Sequence, residues 1–338
     1  MTDDAVAPVP RERGWRRLVL ALALTLVLPV IPWMRPLMPV QQVLVLLVPA
    51  LAACALVGWW RGGRFTTALV WTALTIWLVV QLVRTGGAAY DRLAAGWALL
   101  VAAVFGLACA ATGTRAFLGR ALAAVALALA IAFVAVGAGG VARFERVASA
   151  ELERRAEISV RQWDQSFETP VWRDRLARSD EMAAMQVEMR EQLAALPAKA
   201  LTLLPALLAL ESLAVLALAW ALYHRLSRAR LGPPLSRIRE FRFNDQLVWG
   251  LIVGVTLFVL PALADLRGVA LNLMLFFGAL YLLRGLGVLT WFLAPRGVAM
   301  ALLVGVALLL PPLVGAAALW FGLGDTWFDW RGRPRPTP

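Results

Sequence analysis

Residues 272–291, NLMLFFGALYLLRGLGVLTW, are apolar almost throughout and carry a single charge, Arg284. A membrane-spanning helix needs about 20 mostly apolar residues at a rise of about 1.5 Å each, and this stretch supplies that length. It therefore reads as a transmembrane helix, and one charge at membrane depth is costly enough to mark Arg284 as a functional candidate.

The rest of the chain has the same character. Apolar residues make up 61% of the 338 and charged residues only 16%, and the mean hydropathy is +0.74. An ordinary soluble domain is about half apolar, so the composition indicates an all-α, polytopic transmembrane bundle. The net charge of +12 invites a nucleic-acid reading. That reading fails because the arginines cluster at the ends of apolar runs, where the positive-inside bias places them. Cys54 and Cys109 both lie inside apolar runs, so no disulfide framework or CxxC metal site can be drawn. His224 is the single histidine, which excludes the usual two- and three-histidine metal sites. No cofactor is expected.

Nine candidate spans follow one another at about 15–33, 40–60, 65–83, 93–111, 120–141, 198–223, 247–264, 269–293 and 298–323. The N-terminal RERGWRRLVLALALTLVLPVIPW has the basic start of a signal peptide but no small-x-small cleavage site before its prolines, so it reads as a retained first span. Pro29 and Pro32 shorten it and could break it into a hairpin with the second. Arg11, Arg13, Arg16, Arg17, Arg61, Arg64, Arg115, Arg120, the cluster in HRLSRARLGPPLSRIREFRF and Arg296 fall on one side. The other side holds Arg35, Arg84, Arg92 and Arg267, so the N-terminus is expected to be cytoplasmic. With nine spans the tail would lie outside, where Arg331, Arg333 and Arg335 argue against the count. The expected organisation is a cytoplasmic tail at 1–14, a five-span bundle at 15–141, a polar insert at 142–197, a four-span bundle at 198–323 and a tail at 324–338.

The insert carries nine arginines against eleven acids, an acidic balance in a basic protein that suits an extracytoplasmic position. Phe144, Ala148, Leu152, Ala156, Val160, Trp163 and Phe167 recur at steps of three and four, one face of a helix that ends at Thr169 and Pro170. Ser179 is placed to cap a second helix whose stripe is Met182, Met185, Met189, Leu193 and Leu196. The insert is thus an amphipathic helical hairpin that either packs on the bundle, docks a partner or lies in the headgroups. Gly137–Gly140, between the fifth span and this hairpin, read as a hinge or a close helix contact.

No phosphate loop, H-E-x-x-H or G-x-S-x-G occurs, so no enzyme activity is expected. The pairs Ala124/Ala128 and Ala217/Ala221 are candidate helix contacts. Asn244 and Asp245 read as an N-cap for the seventh span. Two ionisable residues lie near the middle of spans, Glu211 and Arg284. Both helices run in the same direction, and their depths differ by roughly 4 Å, within reach of an arginine. A Glu211–Arg284 ion pair is allowed, with Asn272 about 60 degrees off the Arg284 face; the alternative is that Arg284 snorkels to the interface and Glu211 is protonated or faces a wet cavity.

The order LLPALLALESLAVLALAWALYHRL, a basic loop, REFRFNDQLVWGLIVGVTLFVLP and LNLMLFFGALYLLRGLGVLTWFL resembles the DUF2232, YybS-like family of bacterial membrane proteins. The matching motif positions are Asn272, Leu273, Gly285, Leu286 and Val288, with Arg284 where many relatives have glutamine. The family is in turn similar to substrate-binding components of energy-coupling-factor vitamin transporters. The resemblance implies a transporter-like membrane component; the intramembrane polar residues Glu211, Asn272 and Arg284 mark its expected substrate site, and with no nucleotide motif its energy would come from a partner or a gradient. The alternative is a scaffold whose hairpin docks an envelope protein. The bilayer is the obligatory partner, an energising or envelope protein a further one, and nucleic acid none.

Overall fold

The computed structural model describes residues 14–84, 88–113, 115–293 and 298–332. Arg11, Arg13, Arg296, Arg333 and Arg335 lie outside the described residues. The described residues are helical throughout their regular structure, in the order α1 (Trp15–Val27), α2 (Val43–Trp60), α3 (Phe65–Arg84), α4 (Ala89–Ala111), α5 (Phe117–Gly139), α6 (Val141–Phe167), α7 (Pro170–Arg178), α8 (Asp180–Thr202), α9 (Leu204–Leu226), α10 (Val248–Val259), α11 (Arg267–Leu293), α12 (Val298–Leu309) and α13 (Pro311–Phe328). Contacts divide the chain into two units, Met1–Leu235 and Ser236–Pro338.

In the first unit α2 is central. It is apolar around its whole circumference, as a helix enclosed on all sides must be, and packs against α3, α4 and α9. α3 is peripheral and turns Leu69, Val70, Ile76 and Trp77 outward, the surface a spanning helix offers to lipid. The small residues Ala121, Ala124 and Ala128 are buried on α5, which packs on α4 and α9 and leaves Phe133 and Val134 exposed. Gly140, at φ +98°, joins α5 to α6 in a conformation that a side chain would oppose. A Cβ at Gly137 or Gly139 would meet nothing within 4 Å, so the glycines act at the bend and not in a close contact.

The hairpin expected at 142–197 is built from α6, α7 and α8, with α6 packed on α8. Ala148, Leu152 and Ala156 of the α6 stripe are buried, as is Leu193 of α8. The Ser179 hydroxyl accepts from the Met182 amide at 3.3 Å, the expected cap. Met185 stays exposed, so the α8 stripe is only partly covered.

The second unit is organised around α11, which packs on α10 and α13. Gly285 of α11 and Gly322 of α13 let the two backbones touch. A Cβ on Gly285 would collide with the Ala318 carbonyl, and one on Gly322 with the Tyr281 carbonyl. Ala318 and Gly322 are thus a small-xxx-small contact that includes a motif glycine.

Six of the described helical segments are long and apolar enough to cross a membrane: Val43–Trp60, Phe65–Leu82, Ala89–Ala111, Phe117–Gly139, Leu204–Leu226 and Pro261–Leu293. Three of the nine expected spans fall short among the described residues. At 15–33 the helix stops at Val27, because Pro29 and Pro32 cannot donate to the preceding turn. At 247–264 the helix stops at Val259, before Pro261. At 298–323 the chain breaks at Leu310, which leaves helical geometry ahead of Pro311 and Pro312 and separates α12 from α13. The sixth span begins at Leu204 and not at 198, because α8 runs on to Thr202.

Candidate functional site

The break after α1 decides where unpaired polar backbone appears. Pro29, Pro32, Pro36 and Pro39 reduce residues 28–42 to two short 3-10 turns, Leu28–Val30 and Arg35–Leu37, joined by a hydrogen-bonded turn at 31–34 and followed by irregular chain at 38–42. Peptide groups outside a helix need side-chain partners where water is scarce, and irregular backbone at membrane depth persists only when protein supplies them. Three side chains from three helices do so here. Tyr90 at the start of α4 donates its hydroxyl to the Pro39 carbonyl at 2.9 Å. Arg155 of α6 donates Nη1 to the Met38 carbonyl at 2.7 Å and to the Pro39 carbonyl at 3.2 Å. Glu211 of α9 accepts the Val40 amide on Oε2 at 2.9 Å.

Arg155 is 2% exposed, so its charge must be answered. Its Nε donates to Glu151 Oε1 at 2.7 Å, one turn earlier on α6, and its guanidinium lies 4.8 Å from the Tyr90 ring centroid. Arg154 holds the same carboxylate through Nε and Nη2 at 2.8 and 2.6 Å. Burial alone would raise the Glu151 carboxyl above its ordinary value, but the hydrogen bonds from Arg154 and Arg155 outweigh it and hold it below. The shared carboxylate fixes Arg155, and Arg155 fixes the peptide. Trp33 in the broken segment packs edge-on against Trp163 of α6 at 6.2 Å, and the turn at Arg35–Leu37 packs against both α6 and α8. The hairpin is the clamp on residues 28–42.

Glu211 is half used. Oε1 is buried and makes no hydrogen bond among the described residues, while Arg155 is near enough for the two charges to interact. A carboxylate oxygen with no donor in low-dielectric surroundings is a strong acceptor for an ammonium, a hydroxyl or a proton.

Arg284 has its own partners. It is 3% exposed; Nε donates to Asp325 Oδ2 at 2.9 Å, Nη2 to the Asp325 carbonyl at 3.1 Å and Nη1 to Asp245 Oδ1 at 2.5 Å. Arg331 completes the set, donating to Asp325 Oδ2 at 2.6 Å and to the carbonyls of Arg239 and Phe241 at 3.0 Å. Two arginines meet two aspartates, and the Phe243 ring lies 5.3 Å from the Arg284 guanidinium. Arg284 and Glu211 are each met inside their own unit, and this replaces the Glu211–Arg284 pair and the snorkelling arginine as the account of Arg284. Asn272 donates to the Gly268 carbonyl one turn back on α11 at 2.8 Å. Asn244 caps the 3-10 turn Asp245–Leu247 ahead of α10, while Asp245 serves Arg284 instead of a helix end.

A third polar centre holds the basic loop after α9. Arg61 donates to the carbonyls of Cys109, Gly113 and Leu231. Buried Arg120 donates to those of Leu231 and Gly113 at 3.0 and 2.8 Å and lies 5.5 Å from the Trp220 ring centroid. The Leu231 amide donates to His224 Nε2 at 3.2 Å, so Nδ1 carries the proton and donates to the Trp220 carbonyl at 2.8 Å. Both ring nitrogens are engaged, and His224 is a structural pin. These arginines act on helix-end carbonyls, a task separate from setting orientation.

Sequence reading passed over Tyr90, Glu151, Arg155 and Asp325 and took Arg331 only as a charge of the tail. Glu151, Arg155 and Ser159 repeat at a spacing of four beside the apolar stripe, which is the signal that they share its buried side. No curated protein and no solved structure gives a significant match to this chain. The family model for DUF2232, described as predicted membrane proteins, matches residues 21–326. That range takes in the proline-broken segment, the clamp that holds it and, of the Arg284 network, Asp245, Arg284 and Asp325, and the chain belongs to the DUF2232 family of predicted membrane proteins.

Proposed function

We propose that this protein is a transporter-like, substrate-binding component of a bacterial inner membrane, with its site at Glu211 beside the broken segment 38–40. The observation that carries the reading is the Glu211 carboxylate, which anchors the Val40 amide through one oxygen and keeps a second, buried oxygen without a donor. Discontinuous helices whose unwound peptides meet ionisable side chains are how membrane transporters build substrate sites. The site proposed from sequence contracts accordingly, because the Arg284 charge is paired with Asp245 and Asp325 and the residue serves as a strut. The protein is not an enzyme on this reading, and the energy for movement comes from a partner or a gradient. The resemblance to energy-coupling-factor substrate-binding components points the same way.

With α1 and the broken segment 28–42 crossing together as one interrupted span, the N-terminus is cytoplasmic and the hairpin α6–α8 extracytoplasmic, as the arginine bias indicates. The hairpin then covers the outer mouth of the site. Its role as an envelope-protein dock is less favoured, since Ala148, Leu152, Ala156 and Leu193 are already buried. A thermal-shift screen of small metabolites and cations on the purified full chain tests the proposal. At least one ligand should raise the melting temperature of the wild type and fail to do so for Glu211→Gln. A screen without hits, or a hit that survives Glu211→Gln, refutes it. Thiol labelling of single cysteines in 142–197 from the cytoplasmic side alone would overturn the orientation.

A further inference from the structure

A cleft of about 510 Å³ opens between the start of α4 and the first turns of α6, lined among others by Arg143, Arg146, Val147 and Arg154. It adjoins the peptide clamp and shares Tyr90, Glu151 and Arg154 with it, which form part of its wall. Three guanidinium groups face the Glu151 carboxylate there, which is already bound by Arg154 and Arg155, and the one further carboxylate beside the cleft, Asp91, accepts the Ala88 amide and lies near Arg154. Among the described residues Arg146 uses only Nε, on the Ala142 carbonyl at 3.3 Å, and the exposed Arg143 makes no polar contact. The cleft therefore presents excess positive charge with donors to spare, which favours a phosphate group.

Its place along the chain says which phosphate. α4 enters its apolar span directly at Ala89, and α5 leaves its own at Gly139, two residues before α6 begins. The cleft lies where those two spans end, the depth at which lipid headgroups sit. Apolar side chains complete it: Ala88, Ala89 and Ala150 line it, and Val147 packs beside the buried cluster of Tyr90, Ala148 and Leu204. From a basic, partly apolar cleft at the ends of two spans we infer that this is a binding site for the phosphate of an anionic phospholipid, held by Arg143 and Arg146.

Basic side chains at a membrane surface each contribute enough that neutralising one weakens anionic-lipid binding about fivefold. The test is native mass spectrometry of the full chain released from micelles doped with phosphatidylglycerol or phosphatidylcholine, with Arg143→Gln/Arg146→Gln set beside Arg161→Gln, an exposed arginine of α6 outside the cleft. The expected result is retention of phosphatidylglycerol over phosphatidylcholine by the wild type and by Arg161→Gln, a loss of about twentyfold in the double variant, and no displacement by inorganic phosphate. Melting temperature checks that the double variant folds, and the single variants Arg143→Gln and Arg146→Gln take its place if it does not. Equal retention of the two lipids, or an equal loss in Arg161→Gln, overturns the site. Displacement by inorganic phosphate overturns the lipid assignment.

Discussion

Replacing Arg284 by leucine removes the centre of the ionic network in the second unit, and the structure sets the size of the loss. Asp325 has a fully buried side chain, so it cannot turn to water when Arg284 goes. Breaking a buried pair by removing one partner costs about 3–5 kcal/mol. Arg331 remains at 2.6 Å and keeps Asp325 from being wholly unpaired, which moves the expectation to the low end. The Asp325 carbonyl also loses its Nη2 donor, whereas Asp245 is 58% exposed and rehydrates at a cost of under about 1 kcal/mol. Arg284→Leu should therefore destabilise the second unit by about 3 kcal/mol, read by tryptophan fluorescence during equilibrium unfolding in mixed micelles. A double-mutant cycle with Asp325→Leu should give a coupling of about 1–3 kcal/mol, and one with Glu211→Gln should give none. A loss below about 1 kcal/mol for Arg284→Leu, or coupling to Glu211 in place of Asp325, would refute the network as the reason for Arg284.

Gly285→Ala should cost about 1–3 kcal/mol or more, because its Cβ meets the Ala318 backbone, while Gly278→Ala on the same helix, with nothing within 4 Å, should be neutral or stabilising in the same unfolding assay. Acid should weaken the hairpin clamp. The folded state holds Glu151 below its ordinary 4.5, so the contribution is complete above that pH and lost as pH falls through the lower folded value. Melting curves of the wild type and Glu151→Gln should converge as pH is lowered below the carboxylate range, and a constant difference would contradict the clamp.

Much of the fold was legible because length and hydropathy are local. α2, α3, α4, α5 and α11 begin and end within a few residues of the apolar runs, and the Thr169–Pro170 break and the Ser179 cap follow from backbone chemistry. The span count was not legible, because a proline inside an apolar run can either begin a helix or end one. Pro205 opens α9, while Pro311 separates α12 from α13. The candidate site was half legible. Glu211 stood out as a carboxylate in a span, but its partner is a backbone amide 171 residues earlier, which no side-chain pattern announces. Arg284 stood out equally, yet its partner Asp325 lies 41 residues on, at what sequence alone assigned to a tail. α13 continues to Phe328 and buries that aspartate. Depth arithmetic offered Glu211 because it counted only charges within spans.

On the proposed function, the buried second oxygen of Glu211 receives the ligand. Isothermal titration of the strongest thermal-shift hit into the wild type and Glu211→Gln in nanodiscs tests it most directly. Loss of a charge-assisted hydrogen bond of about 1.5–3 kcal/mol predicts binding weaker by roughly tenfold to a hundredfold in the variant. Affinities that agree within about twofold would contradict the account, since a difference that small is under about 0.5 kcal/mol.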